Sequence, residues 1–503
     1  GVDSLHPGIG FLSENADFAD MVRNRGINFV GPPVQSMETM GNKSNAINTS
    51  IRLNVPVVPG SHGIMTDVEK AAVVAEEIGY PILIKAVHGG GGKGIQLVNG
   101  PEEFEQLFFR VGVEARSAFG NGDVYLEKYV TSLRHIEAQL LRDTHGNTHV
   151  LGIRDCSVQR DKQKVIEESG STMLPKKLLD VVKRSTADIA NEVGYIGAGT
   201  VEFIYDLKSD AVYFMEMNTR LQVEHPVTEW TSGINIVAEQ FRIASGESIA
   251  DLKVKSTGYS IEARVNAERI LQQADGTLAF RPHPGEVLAC EFPEEDGVEI
   301  ITTVGPGKFV SPYYDSMVAQ VVVHAKNRNA AADKLIAYLD KVTISGICTN
   351  IPLLKLVLAD DVFRKGKYDT DYLPELLQRT DIEKLITEID ASSGSAGSGI
   401  DRDSVLIDGT DELKVLAPAT AIFYSTPSPS EPEYVSVGDV VDLNHTLCQL
   451  EAMKIFNPVS LKDFNADGEV YDSSKRYRVT RVNMSNGQQV NVGDLLFVVA
   501  PVT

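Results

Sequence analysis

The chain has 503 residues, 43% hydrophobic and 23% charged, the composition of an ordinary globular protein with room for about three domains. Its formal net charge of −22 argues against broad attachment to nucleic acid or anionic membrane, while leaving room for a local basic pocket that takes a small anion such as a nucleotide. Apolar runs fall short of the roughly 18 residues a spanning helix needs. The scattered Cys156, Cys290, Cys348 and Cys448 read as free thiols in a reducing compartment.

The chain opens Gly1-Val-Asp-Ser4 without a targeting pattern, and Val2–Phe11 already reads as a domain interior, so a segment upstream of Gly1 is expected. Val68–Ile78 has helical spacing, Tyr80–Ala86 reads as a buried strand, and Glu102–Ala118 is helical again. Such alternation suggests an α/β or α+β body. From Tyr259 to Ala325 the pattern turns mainly to strands, followed by a helix over Ala330–Leu339. Ser392-Ser-Gly-Ser-Ala-Gly-Ser-Gly399 has linker composition and sets off a final small domain. In that domain Val435-Ser-Val-Gly-Asp-Val-Val441 recurs as Val490-Asn-Val-Gly-Asp-Leu-Leu496, which predicts two similar antiparallel sheets. Between the copies, Glu451-Ala-Met-Lys454 is placed to form a protruding hairpin that presents a lysine.

Three stretches carry chemistry. Glu216-Met-Asn-Thr-Arg-Leu-Gln-Val-Glu224 has a charged or amide side chain at every second position. In a strand, Glu216, Asn218, Arg220, Gln222 and Glu224 would share one face, with metal-type ligands, a cation and a base in a row. Val201–Tyr205 and Val212–Glu216 read as a hairpin about Ser209 that sets Glu202 opposite Glu216. Like charges so placed call for a cation between them, and with the Asn218 amide oxygen the set suits Mg²⁺. Lys85-Ala-Val-His-Gly-Gly-Gly-Gly-Lys-Gly94 lacks both the dinucleotide and the Walker context, yet a glycine loop between strands can close over phosphates. Cys156–Lys164 adds amide and cationic groups, whereas His135 taken alone reads as a structural histidine.

Together these pieces resemble the biotin carboxylase family of the ATP-grasp superfamily. The matching stretches are His6-Pro-Gly-Ile-Gly-Phe-Leu-Ser-Glu-Asn15, the glycine loop, Glu127-Lys-Tyr-Val130, Arg154-Asp-Cys-Ser-Val-Gln159, Glu216–Thr228 and Val310-Ser-Pro-Tyr-Tyr-Asp-Ser-Met317. The tail resembles a biotin carboxyl carrier domain with Lys454 at the biotinylation position, although Ile455 stands where Met usually follows. Thr426-Pro-Ser-Pro429 resembles the thumb of carriers from bacterial-type acetyl-CoA carboxylase.

The resemblance implies an α+β chain: an ATP-grasp fold with the family's C-terminal domain, then an all-β biotinyl domain, a flattened barrel or sandwich. Residues 1–37 would be a remnant of the N-terminal subdomain, 38–250 the ATP-grasp domain with a lid at about 60–130, and 251–378 the C-terminal domain. A linker at 379–403 and the carrier at 404–503 would follow. Lys43, Lys85, His135, Gln159 and Lys162 would lie at the ATP, with Gly91 and Gly92 over its phosphates and Glu127, Lys128, Tyr129 and Val130 near the adenine. Glu202, Glu216 and Asn218 would hold Mg²⁺ (or Mn²⁺). Arg220 would bind the substrate bicarbonate, with Lys164, Gln222 and Val223 completing the pocket and Glu224 as the general base. The carboxyphosphate so formed would deliver CO₂ to biotin held covalently on Lys454.

The pattern is broken at two positions. Lys162 replaces the family's usual His, and Glu299 falls where the family carries an Arg that stabilises the biotin enolate, a role a carboxylate cannot take over. The implied partners are a separate carboxyltransferase, a biotin protein ligase and further copies of the chain, with neither nucleic acid nor membrane. The implied compartment is the cytoplasm, an organelle matrix or stroma being compatible. Acetyl-CoA is the acceptor the thumb favours, in fatty acid biosynthesis, with propionyl-CoA and pyruvate open. Two other readings are a weakened carboxylase that acts as a scaffold for the carrier, and a non-biotin ATP-grasp ligase with a lipoyl-like appendage.

Overall fold

Local signals set the elements of the first half. Asp67 accepts the N–H groups of Glu69 and Lys70 and so starts the helix Val68–Ile78, which turns Ala71 and Ala75 inward one turn apart. A computed structural model of the chain describes every residue except 88–93, 120, 170–173, 273–275, 393–405, 408–410, 419, 428–430, 454, 465–470, 473, 492 and 503. It forms two units, one of residues 1–262, 323–331 and 361–375, the other of 263–322, 332–360 and 376–503.

In the first unit the helices Val68–Ile78 and Pro101–Phe119 pack with a three-stranded antiparallel sheet, ordered Ile95–Val98, Ile82–Ala86, Val124–Lys128. Ile82–Ala86 is half-buried rather than fully buried. Ile82 and Ile84 join Phe104, Phe108 and Leu126 in the core, whereas Lys85 faces the other way. The glycine loop joins two paired strands as expected, Ala86 donating its N–H to the Gly94 carbonyl at 2.7 Å.

The larger sheet runs through Ala211–Asn218, Gly197–Asp206, Leu133–Arg142, Thr148–Arg160 and Gln163–Ser169, each antiparallel to its neighbour. Strand alternation divides its side chains between two faces. Ile136, Ala138, Leu140, Val201, Phe203 and Phe214 pack into a core with Val182 and Ile189 of the helix Lys176–Glu192. His135, Glu137, Gln139, Thr200 and Glu202 alternate with them and project from the opposite face.

In the second unit Glu268–Gln272 pairs with Leu278–Pro282. The helix Ile382–Ser392 occupies the start of the segment that reads as a linker from 379. Leu385 and Ile389, four residues apart, are buried, and Asp390 takes two hydrogen bonds from Arg269 at 2.7 and 2.8 Å, so this part of the chain has a packed face. The Ser/Gly run after it falls outside the described residues.

The C-terminal stretch forms two four-stranded antiparallel sheets around Val415, Phe423, Leu450, Val479 and Phe497. The sequence repeat is a repeated turn. Gly438 and Gly493 both have positive φ, +102° and +86°, in the region that favours glycine. Asp439 accepts the Ser436 N–H at 2.8 Å, and Asp494 accepts the Asn491 N–H at 2.7 Å. Thr446–Ala452 and Ile455–Ser460 form a hairpin in which Ala452 pairs with Ile455. Lys454 itself and residues 428–430 of the thumb-like stretch lie outside the described residues. Among the described residues, no helix is long and apolar enough to cross a membrane.

Candidate active site

Register across the larger sheet builds the site. Glu216 pairs with Glu202, Glu202 with Glu137, and Glu137 with Arg154, giving one transverse row over four strands. The hairpin about Ser209 starts one residue off the expected register. An irregularity between Phe214 and Glu216 absorbs the difference and brings Glu216 opposite Glu202.

Three neighbouring carboxylates are costly unless cations and donors answer them. Glu137, fully buried, meets the Arg154 guanidinium at 3.0 Å, the Lys164 ammonium, and His135 Nε2 at 3.2 Å. Burial opposes its charge, but Lys164, Arg154 and His135 hold it well below the usual carboxylate range. Glu202 Oε1 accepts from Asn218 Nδ2 at 2.6 Å and Gln222 Nε2 at 2.8 Å, and His135 Nε2 lies 3.1 Å from its Oε2. Burial works against a charged His135 ring, yet the two carboxylates raise its pKa to about 9.

Glu216 forms an ion pair with Lys43 at 3.9 Å, and Lys43 is largely exposed. Burial and then the charge of Glu202 push the Glu216 pKa up. Glu202 and Glu216, opposed across two strands with one carboxylate short of positive charge, suit a hard divalent cation, while Asn218 turns its nitrogen to Glu202 and its oxygen toward Arg220. His135, Glu137 and Glu202 also bring ligand atoms within 4.8 Å of one another. Glu137 is already engaged by Arg154 and Lys164, which favours the other set.

The Glu216–Glu224 stretch does not continue as a strand. It leaves the sheet after Asn218, because the Thr219 N–H is accepted by Glu14 Oε1 at 2.8 Å and the helix His225–Ser232 starts at Glu224, with Pro226 in its first turn. Arg220, Gln222 and Glu224 therefore reach the site from a loop. Arg220 Nε donates to Glu14 Oε2 at 2.9 Å and its Nη2 lies 3.4 Å from Asn218 Oδ1. Gln222 is held at both ends: its oxygen accepts from Arg154 at 2.7 Å and its nitrogen donates to Glu202. Glu224, buried, meets Lys164 Nζ at 2.5 Å. Burial disfavours the Lys164 ammonium, but Glu137 and Glu224 raise its pKa well above the ordinary value, so it stays a cation. Val223, half-buried, lies in the loop immediately before Glu224.

The nucleotide set is less uniform. Lys85 Nζ meets Glu127 Oε1 at 2.5 Å on the small sheet. Gln159 lies opposite Lys164 and places its amide nitrogen 2.9 Å from His135 Nδ1. Lys128 is a tie between segments, donating to the carbonyls of Gly79 at 2.6 Å and Tyr80 at 3.1 Å. Tyr129 is partly exposed and Val130 buried. Lys162 is not brought to the cluster: it is exposed in the Asp161–Lys162 turn, with φ +65°. Gly91 and Gly92 fall outside the described residues, and Glu299 is half-buried on Val298–Thr302 in the second unit.

Three residues escaped the sequence reading of the site. Glu137 follows His135 at the strand period, which was the available signal. Arg154 is fully buried and donates to Glu137, Gln139, Thr200, Gln222 and Thr228, a role that only strand register discloses. Glu14, in the His6–Asn15 stretch, anchors Arg220.

The biotin carboxylase N-terminal domain matches residues 1–37, the ATP-binding domain of the carbamoyl-phosphate synthase L chain matches 42–252, and the biotin carboxylase C-terminal domain matches 262–375. Biotin carboxylase 1 of Bacillus subtilis is 44% identical over 375 residues, 74% of this chain and 82% of that protein. A Campylobacter jejuni biotin carboxylase crystallised as a β,γ-ATP complex superposes with a TM-score of 0.67 at 40% identity, covering 74% of this chain and 82% of that one. The biotin carboxylase domain dimer of Hydrogenobacter thermophilus 2-oxoglutarate carboxylase, in complex with MgADP, ADP and bicarbonate, gives 0.66 at 43% identity, with 74% and 81% covered.

Proposed function

The chain belongs to the biotin carboxylase family of ATP-dependent carbon–nitrogen ligases, and from that premise we propose that it carboxylates biotin carried on its own Lys454. The observation that carries this reading is the charge chain Arg154–Glu137–Lys164–Glu224 beside an arginine anchored through Glu14. The chain ends on a buried carboxylate that can act as base, and Arg220 supplies a fixed cation that suits a planar anion.

Lys43 and Lys85 meet the ATP phosphates, with His135, Gln159 and the Glu127–Val130 segment around the nucleotide. Glu202, Glu216 and Asn218 would hold Mg²⁺, which when bound would offset phosphate charge. Arg220 clamps bicarbonate, with Gln222, Lys164 and the Val223 backbone closing the pocket. Glu224 takes the bicarbonate proton as the resulting oxyanion attacks the γ-phosphorus, and ADP leaves. Carboxyphosphate then breaks down to CO₂ and phosphate, the phosphate takes the ureido N–H proton of biotin, and the freed nitrogen bonds to CO₂.

The C-terminal domain is the carrier in this reading, supported by the repeated turns and by the pairing of Ala452 with Ile455 on either side of position 454. A biotin protein ligase loads Lys454, and a separate carboxyltransferase passes the carboxyl group to an acyl-CoA, with acetyl-CoA the acceptor that Thr426–Pro429 favours. Self-association follows the dimer crystallised for the Hydrogenobacter thermophilus domain, and the cytoplasm is the proposed compartment. The test is ATP hydrolysis that requires bicarbonate and rises with free biotin, together with mass spectrometry for a biotin adduct on Lys454 after co-expression with a biotin ligase. No adduct removes the carrier assignment.

Glu299 supports a second reading, a weakened carboxylase that serves mainly as a scaffold. A large gain in biotin-stimulated turnover by Glu299→Arg favours it, whereas brisk wild-type turnover that the substitution leaves unchanged rules it out.

A further inference from the structure

A guanidinium as fully buried as that of Arg154 needs an acceptor for each of its five N–H groups. All five have one. Nε donates to Glu137 at 3.0 Å, Nη1 to Gln139 at 2.8 Å and Thr228 at 3.1 Å, and Nη2 to Thr200 at 3.1 Å and Gln222 at 2.7 Å. The ion pair with Glu137 uses one of these bonds. The other four go to neutral groups, so they add nothing to charge balance and instead decide how those groups are turned.

An amide has nearly the same shape in either of two orientations, and its neighbours choose between them. Arginine only donates, and an ionised carboxylate only accepts. Gln222 lies between one of each, its oxygen on Arg154 and its nitrogen on Glu202 Oε1 at 2.8 Å. Turned over, it would set N–H against N–H at one end and oxygen against oxygen at the other. Gln139 is fixed in the same way, its oxygen on Arg154 and its nitrogen on the Gly199 carbonyl at 2.9 Å. Gln139 and Thr200 are also paired residues of adjacent strands, so the seat of Arg154 is part of the sheet. Gln222 has no such support, because it lies in the loop between Asn218 and the helix that starts at His225. Its amide nitrogen carries two N–H groups. Glu202 takes one, and among the described residues none takes the other.

We propose that Arg154 is a positioning residue for bicarbonate. It carries the rigidity of the sheet to the Gln222 amide and keeps the nitrogen, a donor, turned to the anion. Without that hold the amide can offer its oxygen, which repels an anion. The role rests on the biotin carboxylase reading of the pocket around Gln222.

A double-mutant cycle on the full chain tests it, read as KM for bicarbonate in ATP hydrolysis with free biotin. Arg154→Lys keeps a cation for Glu137 but replaces a planar fork of five donors by a compact head with three. KM for bicarbonate is expected to rise about tenfold, the worth of one hydrogen bond to a charged group, with KM for ATP within about twofold. Gln222→Met should raise it about as much, and the double variant no further. A rise of about a hundredfold in the double variant overturns the proposal, because Arg154 would then act without Gln222. An equal rise in KM for ATP also overturns it, since general loosening of the site moves both constants. If a thermal melt shows Arg154→Lys unfolded, Thr200→Val replaces it in the cycle. That variant removes the second acceptor of Nη2, the nitrogen that holds Gln222. It should raise KM for bicarbonate about threefold, and not at all in the Gln222→Met background; no rise in the wild-type background overturns the proposal. Wild-type ATP hydrolysis that does not depend on bicarbonate removes the functional reading and this role with it, whereas bicarbonate dependence with an additive cycle overturns the role alone.

Discussion

Glu14→Gln tests how Arg220 is held. The glutamine keeps a carbonyl oxygen for the Thr219 N–H, now accepted at 2.8 Å, so the end of the strand should stay in place. At its other terminus an NH₂ group replaces the oxygen that accepts from Arg220 Nε at 2.9 Å, and two donors then face each other. A hydrogen bond to a charged group contributes about 1.5–3 kcal/mol net. The Arg220 and Glu14 side chains are 25% and 39% exposed, so the lower end applies. About 1.5 kcal/mol is close to tenfold in a binding constant. The expected outcome is a five- to tenfold rise in KM for bicarbonate, with kcat and KM for ATP within about twofold, since Glu14 has no contact with Lys43, Lys85 or Glu127 among those described. The assay is bicarbonate-dependent ATP hydrolysis with free biotin, alongside a thermal melt to verify folding. An unchanged KM for bicarbonate with a lowered kcat refutes the reasoning, because it would mean that Glu14 acts on the chemical step rather than on anion binding.

Arg154→Met should destabilise the first unit by about 3–5 kcal/mol, the cost of removing one partner of a buried ion pair, because it strands Glu137 and frees the Gln222 oxygen. Denaturant unfolding, followed at the transition that nucleotide shifts, measures it; a change below about 1 kcal/mol would show that Lys164 alone suffices for Glu137. His135 predicts a pH dependence. Its folded pKa of about 9 lies above the ordinary 6.5, so its contribution is fully present below pH 6.5 and is lost as pH rises through 9. The difference amounts to about 3 kcal/mol at most, and His135→Gln should remove it, giving a flatter stability profile between those limits. Parallel profiles for the two proteins would show that the ring stays neutral.

The parts of this site that were legible run along the chain, and those that were not run across it. The helix Val68–Ile78 is written in apolar spacing and an Asp cap, and Glu202 opposite Glu216 follows from a short hairpin whose offset a bulge absorbs. The repeated Gly-Asp turns are likewise local. Polar alternation from Glu216 to Glu224 picked out side chains that the structure brings together, and gave the wrong backbone. Period two reports which side chains share a space, and a loop that folds back toward a sheet can satisfy it as well as a strand. Glu137 and Arg154 stayed hidden for a different reason. Charged residues are seldom fully buried unless paired, and the pairing that permits it here joins residues 17 apart across two strands. Residue 154 can be recognised as central only when its neighbours at 137, 139, 200, 222 and 228 are known together. Lys162 fails in the opposite sense: the family pattern puts a side chain at the nucleotide, whereas a two-residue turn with positive φ holds this one out in solvent. The ion-paired frame of the site therefore runs as a transverse row, Glu216–Glu202–Glu137–Arg154, which the longitudinal pattern from Glu216 to Glu224 meets at only one end.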